Sequence, residues 1–208
     1  MADTIDALVR LRAADDATTP MVIDPTARTT YAALDVATRR LAATFVDHGI
    51  GKGSRVGLIM PNGVDWVRIA VALTRIGAVL VPLSTLLAPR ELVAQLRVAS
   101  VQYLVAVDEF RSHRYHGDLR TELETSHIGD RTLHHPRLPA LRRVWTPDTM
   151  IGTVAGPGAT AVCDAMTAAV TPNDPLVVMF TQEAAAYPRA DHRGRRWRVR
   201  HQRQKRSW

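Results

Sequence analysis

The sequence predicts an α/β domain: a mostly parallel sheet flanked by helices. Three observations carry this. Short apolar runs at Arg55–Met60, Ala78–Val81 and Tyr103–Val107 have the length of buried strands. Segments with helical periodicity separate them, and glycine and proline punctuate each change of period.

Taken in order, Thr29 to Asp47 reads as a helix. Thr29 or Thr30 can cap it, Leu34, Leu41 and Phe45 share a face, and Gly49 and Gly51 supply the stop. The strand Arg55–Met60 closes on the turn Pro61-Asn62-Gly63. Val64 to Ile76 returns to helix through Val64, Val67 and Val71, and the strand Ala78–Val81 ends at Pro82. Pro89 suits a first helical turn, and Leu92, Leu96 and Ala99 line the face that follows it. After the strand Tyr103–Val107 the periodicity weakens. Arg111 to Pro139 reads as a loop containing His113, His116, His127, His134 and His135. The spacing of His113 and His116 could chelate a metal, but no acidic or cysteine partner completes a tetrahedral set, so no metal site is expected. Further strands are expected at Leu141–Trp145 and Leu176–Phe180, a Gly/Ala-rich loop at Ile151–Ala161 and a short helix at Asp164–Ala169. There is no internal repeat.

Charge is distributed unevenly. The chain of 208 residues has a net charge of +7, but residues 1–188 hold 18 basic and 19 acidic groups. The excess lies in Arg189–Trp208, with nine basic residues and one acid, Asp191. The single cysteine, Cys163, excludes an internal disulfide and reads as a small apolar residue in a reducing compartment. Met1 to Asp16 lacks the apolar core of a signal peptide, and no run approaches the roughly 18 apolar residues that span a bilayer. A cytoplasmic protein without a transmembrane segment is expected.

The stretch Gly49-Ile50-Gly51-Lys52-Gly53-Ser54-Arg55-Val56-Gly57-Leu58-Ile59-Met60-Pro61-Asn62 resembles the opening sheet segment of AMP-forming acyl-CoA synthetases, the fatty-acid–CoA ligases of the adenylate-forming superfamily. The resemblance continues through Gly77-Ala78-Val79-Leu80-Val81-Pro82-Leu83, where Ser84-Thr85 replace the family's usual Asn-Pro. It then passes through Glu91-Leu92, the strand ending at Val107, and Leu138-Pro139-Ala140-Leu141-Arg142-Arg143-Val144. It covers about residues 20–181. It implies an incomplete amino-terminal subdomain of the adenylate-forming fold over residues 1–181, followed by an unrelated, disordered, Arg-rich tail over 182–208. The matching residues are core and turn residues, so they argue fold before chemistry.

For the intact family the resemblance implies ATP, Mg²⁺ and CoA as cofactors and ATP-dependent conversion of a carboxylic acid to acyl-adenylate and then acyl-CoA. The family's Asp-Pro-Leu and apolar strand lead into a Ser/Thr/Gly-rich loop ending Pro-Lys-Gly, whose backbone N–H groups and lysine cradle the phosphates. Here Asp174-Pro175-Leu176-Val177-Val178-Met179-Phe180-Thr181 matches, which makes Thr181 the vestigial start of the ATP-phosphate loop. Gln182-Glu183-Ala184-Ala185-Ala186-Tyr187-Pro188-Arg189-Ala190 then stands in the loop's place. No glycine follows until Gly194, and Glu183 repels phosphate. The family's later adenine, Mg²⁺ and ribose segments and its catalytic lysine find no match. No catalytic residue, no metal site and no cofactor are therefore expected for this chain, which reads as inactive.

The break admits a reading-frame explanation. If Thr181–Ala190 is encoded ACT CAG GAG GCC GCG GCG TAC CCA AGG GC, one C restored after AC yields Thr-Ser-Gly-Gly-Arg-Gly-Val-Pro-Lys-Gly, the family loop. Twenty-five arginines against two lysines agree with a GC-rich gene. The expectation is a one-base deletion near codon 181. Two other readings are open. Arg189–Trp208, with Trp197 and Trp208, could bind nucleic acid or, non-specifically, other polyanions. The sheet could serve as an interaction module and self-associate through exposed apolar surface.

Overall fold

A computed structural model describes residues 3–129 and 132–180. The elements in chain order are α1 (Ile5–Asp15), β1 (Pro20–Ile23), β2 (Arg28–Thr30), α2 (Tyr31–Asp47), β3 (Arg55–Ile59), α3 (Val64–Arg75), β4 (Val79–Pro82), α4 (Pro89–Val98), β5 (Tyr103–Ala106), α5 (Tyr115–Glu122), β6 (Arg143–Trp145), α6 (Pro147–Gly152) and α7 (Ala159–Ala168). Strands β1 and β2 form an antiparallel hairpin, and the other four make a parallel sheet ordered β4-β3-β5-β6.

This is the α/β architecture the sequence predicts, and the alternation of side chains along the strands explains its layers. Val56 and Leu58 of β3, Leu80 of β4, Val105 of β5 and Trp145 of β6 enter one core with α2, α3, α6 and α7. Their neighbours Ile59, Val81, Leu104, Ala106 and Val144 enter a second core with α4 and α5 on the opposite face. The chain crosses from β3 to β4 through α3, then back over β3 to β5 through α4. Crossovers of one hand running in opposite directions place those helices on opposite faces.

Local signals set the helix ends. Thr4 Oγ1 accepts the Ala7 N–H at 3.1 Å, Thr30 Oγ1 the Ala33 N–H at 3.3 Å, and Thr146 Oγ1 the Thr149 N–H at 3.2 Å. Helix α3 has no capping side chain of its own, since Gly63 precedes it. Asp24 caps it from the β1–β2 turn, its Oδ2 accepting the Val64 N–H at 2.9 Å while Oδ1 accepts the N–H groups of Thr26 and Ala27. A side chain at position 63 would collide with this carboxylate, because a Cβ there lies 2.9 Å from Oδ2.

These bonds, that from Val64 first, lower the Asp24 pKa from 3.8 to about 2. A depressed carboxylate pKa stabilises the fold above the unfolded value and loses that contribution as pH falls through the folded one. The stability gap between the native chain and Asp24→Ala is therefore expected to be constant above about pH 5 and to narrow between 3.8 and about 2. Urea midpoints measured from pH 2 to 6 check this; a gap that widens on acidification contradicts the capping role.

Several expectations are corrected. No element is expected before Thr29, but residues 5–15 form α1 and the hairpin β1–β2 follows it. The expected loop Arg111–Pro139 contains α5, held by buried Tyr115 and Leu119. The expected loop Ile151–Ala161 overlaps the end of α6 and the start of α7, which begins earlier than Asp164 because Gly158 adopts φ +84° at its N-cap. Strand β6 is shorter than Leu141–Trp145. The strand expected at Leu176–Phe180 forms a single parallel bridge, Leu80 with Val177, at the outer edge of β4. The tail 182–208 lies outside the described residues.

Candidate active-site edge

The segment from Thr171 to Phe180 is tied down at its start. Asp174 Oδ2 accepts the Thr171 N–H at 2.7 Å and the Thr171 hydroxyl at 3.1 Å, and pairs with Lys52 Nζ at 2.7 Å. Lys52 Nζ also donates to the Ala169 carbonyl at 2.7 Å, so one ammonium clamps the end of α7 and the following turn to the loop before β3. The hydrogen bond from Lys52, then that from the Thr171 N–H, hold the Asp174 carboxyl below the usual carboxylate range.

Beyond the turn, Leu80 N–H donates to the Leu176 carbonyl at 3.0 Å and Val178 N–H to the Leu80 carbonyl at 2.9 Å. The segment thus runs parallel to β4, with Val178 and Phe180 packed against the second core. Its downstream end points to the same edge as the carboxyl ends of β3, β4 and β5, where open parallel sheets bind ligands. Thr181, the candidate start of the phosphate loop, is the next residue and lies outside the described residues. So does the Arg-rich segment 189–208.

Pro61-Asn62-Gly63 follows β3 at this edge, and Ser84-Thr85 follow β4. Ser84 Oγ accepts the Leu86 N–H at 3.2 Å, and the Thr85 carbonyl accepts the buried Tyr115 hydroxyl at 2.9 Å. Burial raises the Tyr115 pKa above its ordinary value. The two histidines with metal-like spacing go to different partners. The His113 ring stacks on Tyr115, with centroids 5.9 Å apart, and His116 Nε2 lies 3.2 Å from the Ala106 carbonyl. Among the described residues no group of three or more His, Cys, Asp or Glu side chains could hold a metal ion. Cys163 is fully buried in the first core, and burial raises its thiol pKa. No helix among the described residues is long and apolar enough to cross a membrane.

Sequence reading missed the Lys52–Asp174 clamp. Both residues stand in the segments that carry the resemblance, but their pairing arises only when α7 returns beside the β3 loop.

A parallel sheet with an Asp-Pro-Leu segment leading to its carboxyl edge defines the class, and comparison with known proteins agrees. Residues 9–181 match the family described as AMP-binding enzyme, and the chain belongs to that family. It is 34% identical over 92 residues to a putative acyl-CoA synthetase of Bacillus subtilis, covering 44% of this chain and 17% of that protein. It is 30% identical over 131 residues to the mitochondrial medium-chain acyl-CoA ligase ACSF2 of Rattus norvegicus, covering 62% of this chain and 21% of that one. The chain thus spans between 16% and 21% of the first three curated relatives it matches. In structure it is similar to a fatty acyl-CoA synthetase of Mycobacterium tuberculosis, with TM-score 0.61 and 20% identity over 86% of this chain and 32% of that one. The amino-terminal domain of FACL13 from the same organism gives TM-score 0.64 and 19% identity over 89% and 42%. These identities speak for the fold.

Proposed function

We propose that this chain is the opening part of an acyl-CoA synthetase fold that does not perform the family's reaction. That reaction joins ATP and a carboxylic acid into acyl-adenylate and pyrophosphate, then passes the acyl group to CoA. The carrying observation is the bridge from Leu80 to Leu176 and Val178, which aims the described chain at the carboxyl edge of the sheet. A triphosphate needs close backbone approach and compensating positive charge. Gln182–Ala190 supply three alanines and Glu183 instead. By their chemistry these residues do not fit ATP or Mg²⁺, and no step of the reaction is assigned to them.

The reading includes a one-base deletion near codon 181 as the origin of residues 182–208, and a cytoplasmic location. The gene sequence tests the former: an open frame that resumes the synthetase after one restored base supports it. The activity test is acid-dependent pyrophosphate release from ATP and Mg²⁺ with acetate, octanoate or palmitate. The 208-residue chain is expected to give none above the protein-free background, and saturable release with any of the three overturns the reading.

Self-association belongs to the same proposal. Leu176, Val177 and Met179 are 46%, 41% and 71% exposed on a segment whose only strand partner among the described residues is β4. An apolar edge segment of this kind invites pairing with a second copy. Sedimentation is expected to show mass rising with concentration, reduced in the double variant Val177→Lys/Met179→Lys. A monomer at all concentrations contradicts it.

A further inference from the structure

A second binding feature lies away from the sheet edge, on the helical layer over the first core. A groove of about 280 Å³ opens between α2, α3 and the α6–α7 connection. Two arginines line it, Arg40 from α2 and Arg68 from α3, and no acidic side chain does. Leu41, Ile151 and Val154 contribute apolar walls, and Thr160 a hydroxyl.

The pairing of these arginines differs from that of the others around the helical layer. Arg75 is held by Asp6 and Asp35, and Arg39 meets Asp164 through two bonds. On the other face, Arg90 and Arg137 share Glu122. Arg40 has no carboxylate partner within 4.0 Å among the described residues. Arg68 gives Nη1 alone to Asp65 at 2.7 Å, and its side chain is 29% exposed. A guanidinium presents its N–H groups as a planar fork suited to carboxylate or phosphate oxygens.

We infer that this groove binds a small organic anion: a carboxylate or phosphate head against Arg68 and Arg40, with a short apolar body along Leu41, Ile151 and Val154. The head meets the guanidinium of Arg40, which no carboxylate among the described residues holds, and the accessible part of Arg68. The body covers apolar walls that bare inorganic phosphate leaves wet. The site is separate from the phosphate-loop edge and does not depend on the synthetase reaction.

The test uses the full 208-residue chain and three probes: hexanoate, hexyl phosphate and the neutral hexanol. Binding is followed by amide shifts of Thr44, Thr153 and Thr160, which separate this groove from the basic tail. At least one anion is expected to saturate at these amides and hexanol to leave them unmoved; which anion saturates identifies the head group. Arg68→Gln is expected to weaken binding about tenfold and Arg40→Gln about threefold, as loss of charge-assisted bonds implies. Arg97→Gln removes the same charge from α4 on the opposite face and should leave affinity unchanged. Arg40 is exposed, so its variant tests the site even if Arg68→Gln disturbs folding. Failure of both anions to saturate overturns the proposal. So does equal binding by hexanol, Arg40→Gln binding like the native chain, or Arg97→Gln weakening binding as much as Arg40→Gln.

Discussion

Asp6→Ala is expected to lower the unfolding free energy by about 3 kcal/mol, because it leaves a buried guanidinium short of a partner. Asp6 and Arg75 are 3% and 2% exposed, and Arg75 Nε lies 2.6 Å from Asp6 Oδ1. Arg75 Nη2 reaches the Asp35 carboxylate, and Arg10 closes on Asp6 from outside at 2.9 Å. The cluster therefore joins α1, α2 and α3 through a charge that water does not reach. Asp35 remains after the substitution, which places the loss at the lower end of the range of about 3–5 kcal/mol for breaking a buried pair. Replacing the pair by an apolar couple, Asp6→Leu with Arg75→Met, is expected to recover most of it, since no buried charge is then left alone. Urea unfolding of the single and double variants measures both. A loss below about 1 kcal/mol for Asp6→Ala would place the cluster with exposed ion pairs.

Gly57→Val should cost about 2–3 kcal/mol for the opposite reason, excess volume. Gly57 sits mid-strand in β3 and pairs with both Val81 and Leu104. A Cβ there would lie 2.9 Å from Leu104 Cδ1, 3.2 Å from Val101 Cγ1 and 3.3 Å from Leu83 Cδ1. The backbone conformation does not demand glycine; the tightness of the second core does. Trimming the nearest neighbour in Gly57→Val/Leu104→Ala should restore part of the loss, and the coupling between the substitutions is the diagnostic. Independent, additive effects would mean that the strand shifts bodily instead of clashing locally.

What could be read from the sequence follows what each element uses for stability. Strands β3, β4 and β5 and helices α2, α3 and α4 declare themselves through apolar runs broken by Gly53, Gly63, Gly77 and Pro89. Helix α1 does not, because its anchor is a buried aspartate and Leu8 and Leu11 are exposed. Helix α5 buries Tyr115 and Leu119 and carries Gly117 within it, which weakens the helical pattern. Helix α7 is alanine-rich behind a glycine with φ +84°, a composition that also suits a loop. The converse error is Leu176–Phe180, an apolar run with strand character that makes a single bridge, to β4, among the described residues. At the candidate site, Asp174-Pro175-Leu176 was legible as a segment, whereas the Lys52 clamp that positions it depends on tertiary contact.

That clamp makes one position unusually addressable by chemistry. The chain contains two lysines, and Lys205 lies in the basic tail, which leaves Lys52 as the sole side-chain amine among the described residues. It is 42% exposed, so an acylating reagent can reach it when the ammonium briefly leaves its partners. Acylation removes the charge that Asp174 accepts and obstructs the donor that holds the Ala169 carbonyl. A single covalent event at one amine therefore loosens the turn that leads into the edge segment, while the two backbone bonds to Leu80 still hold Leu176 and Val178.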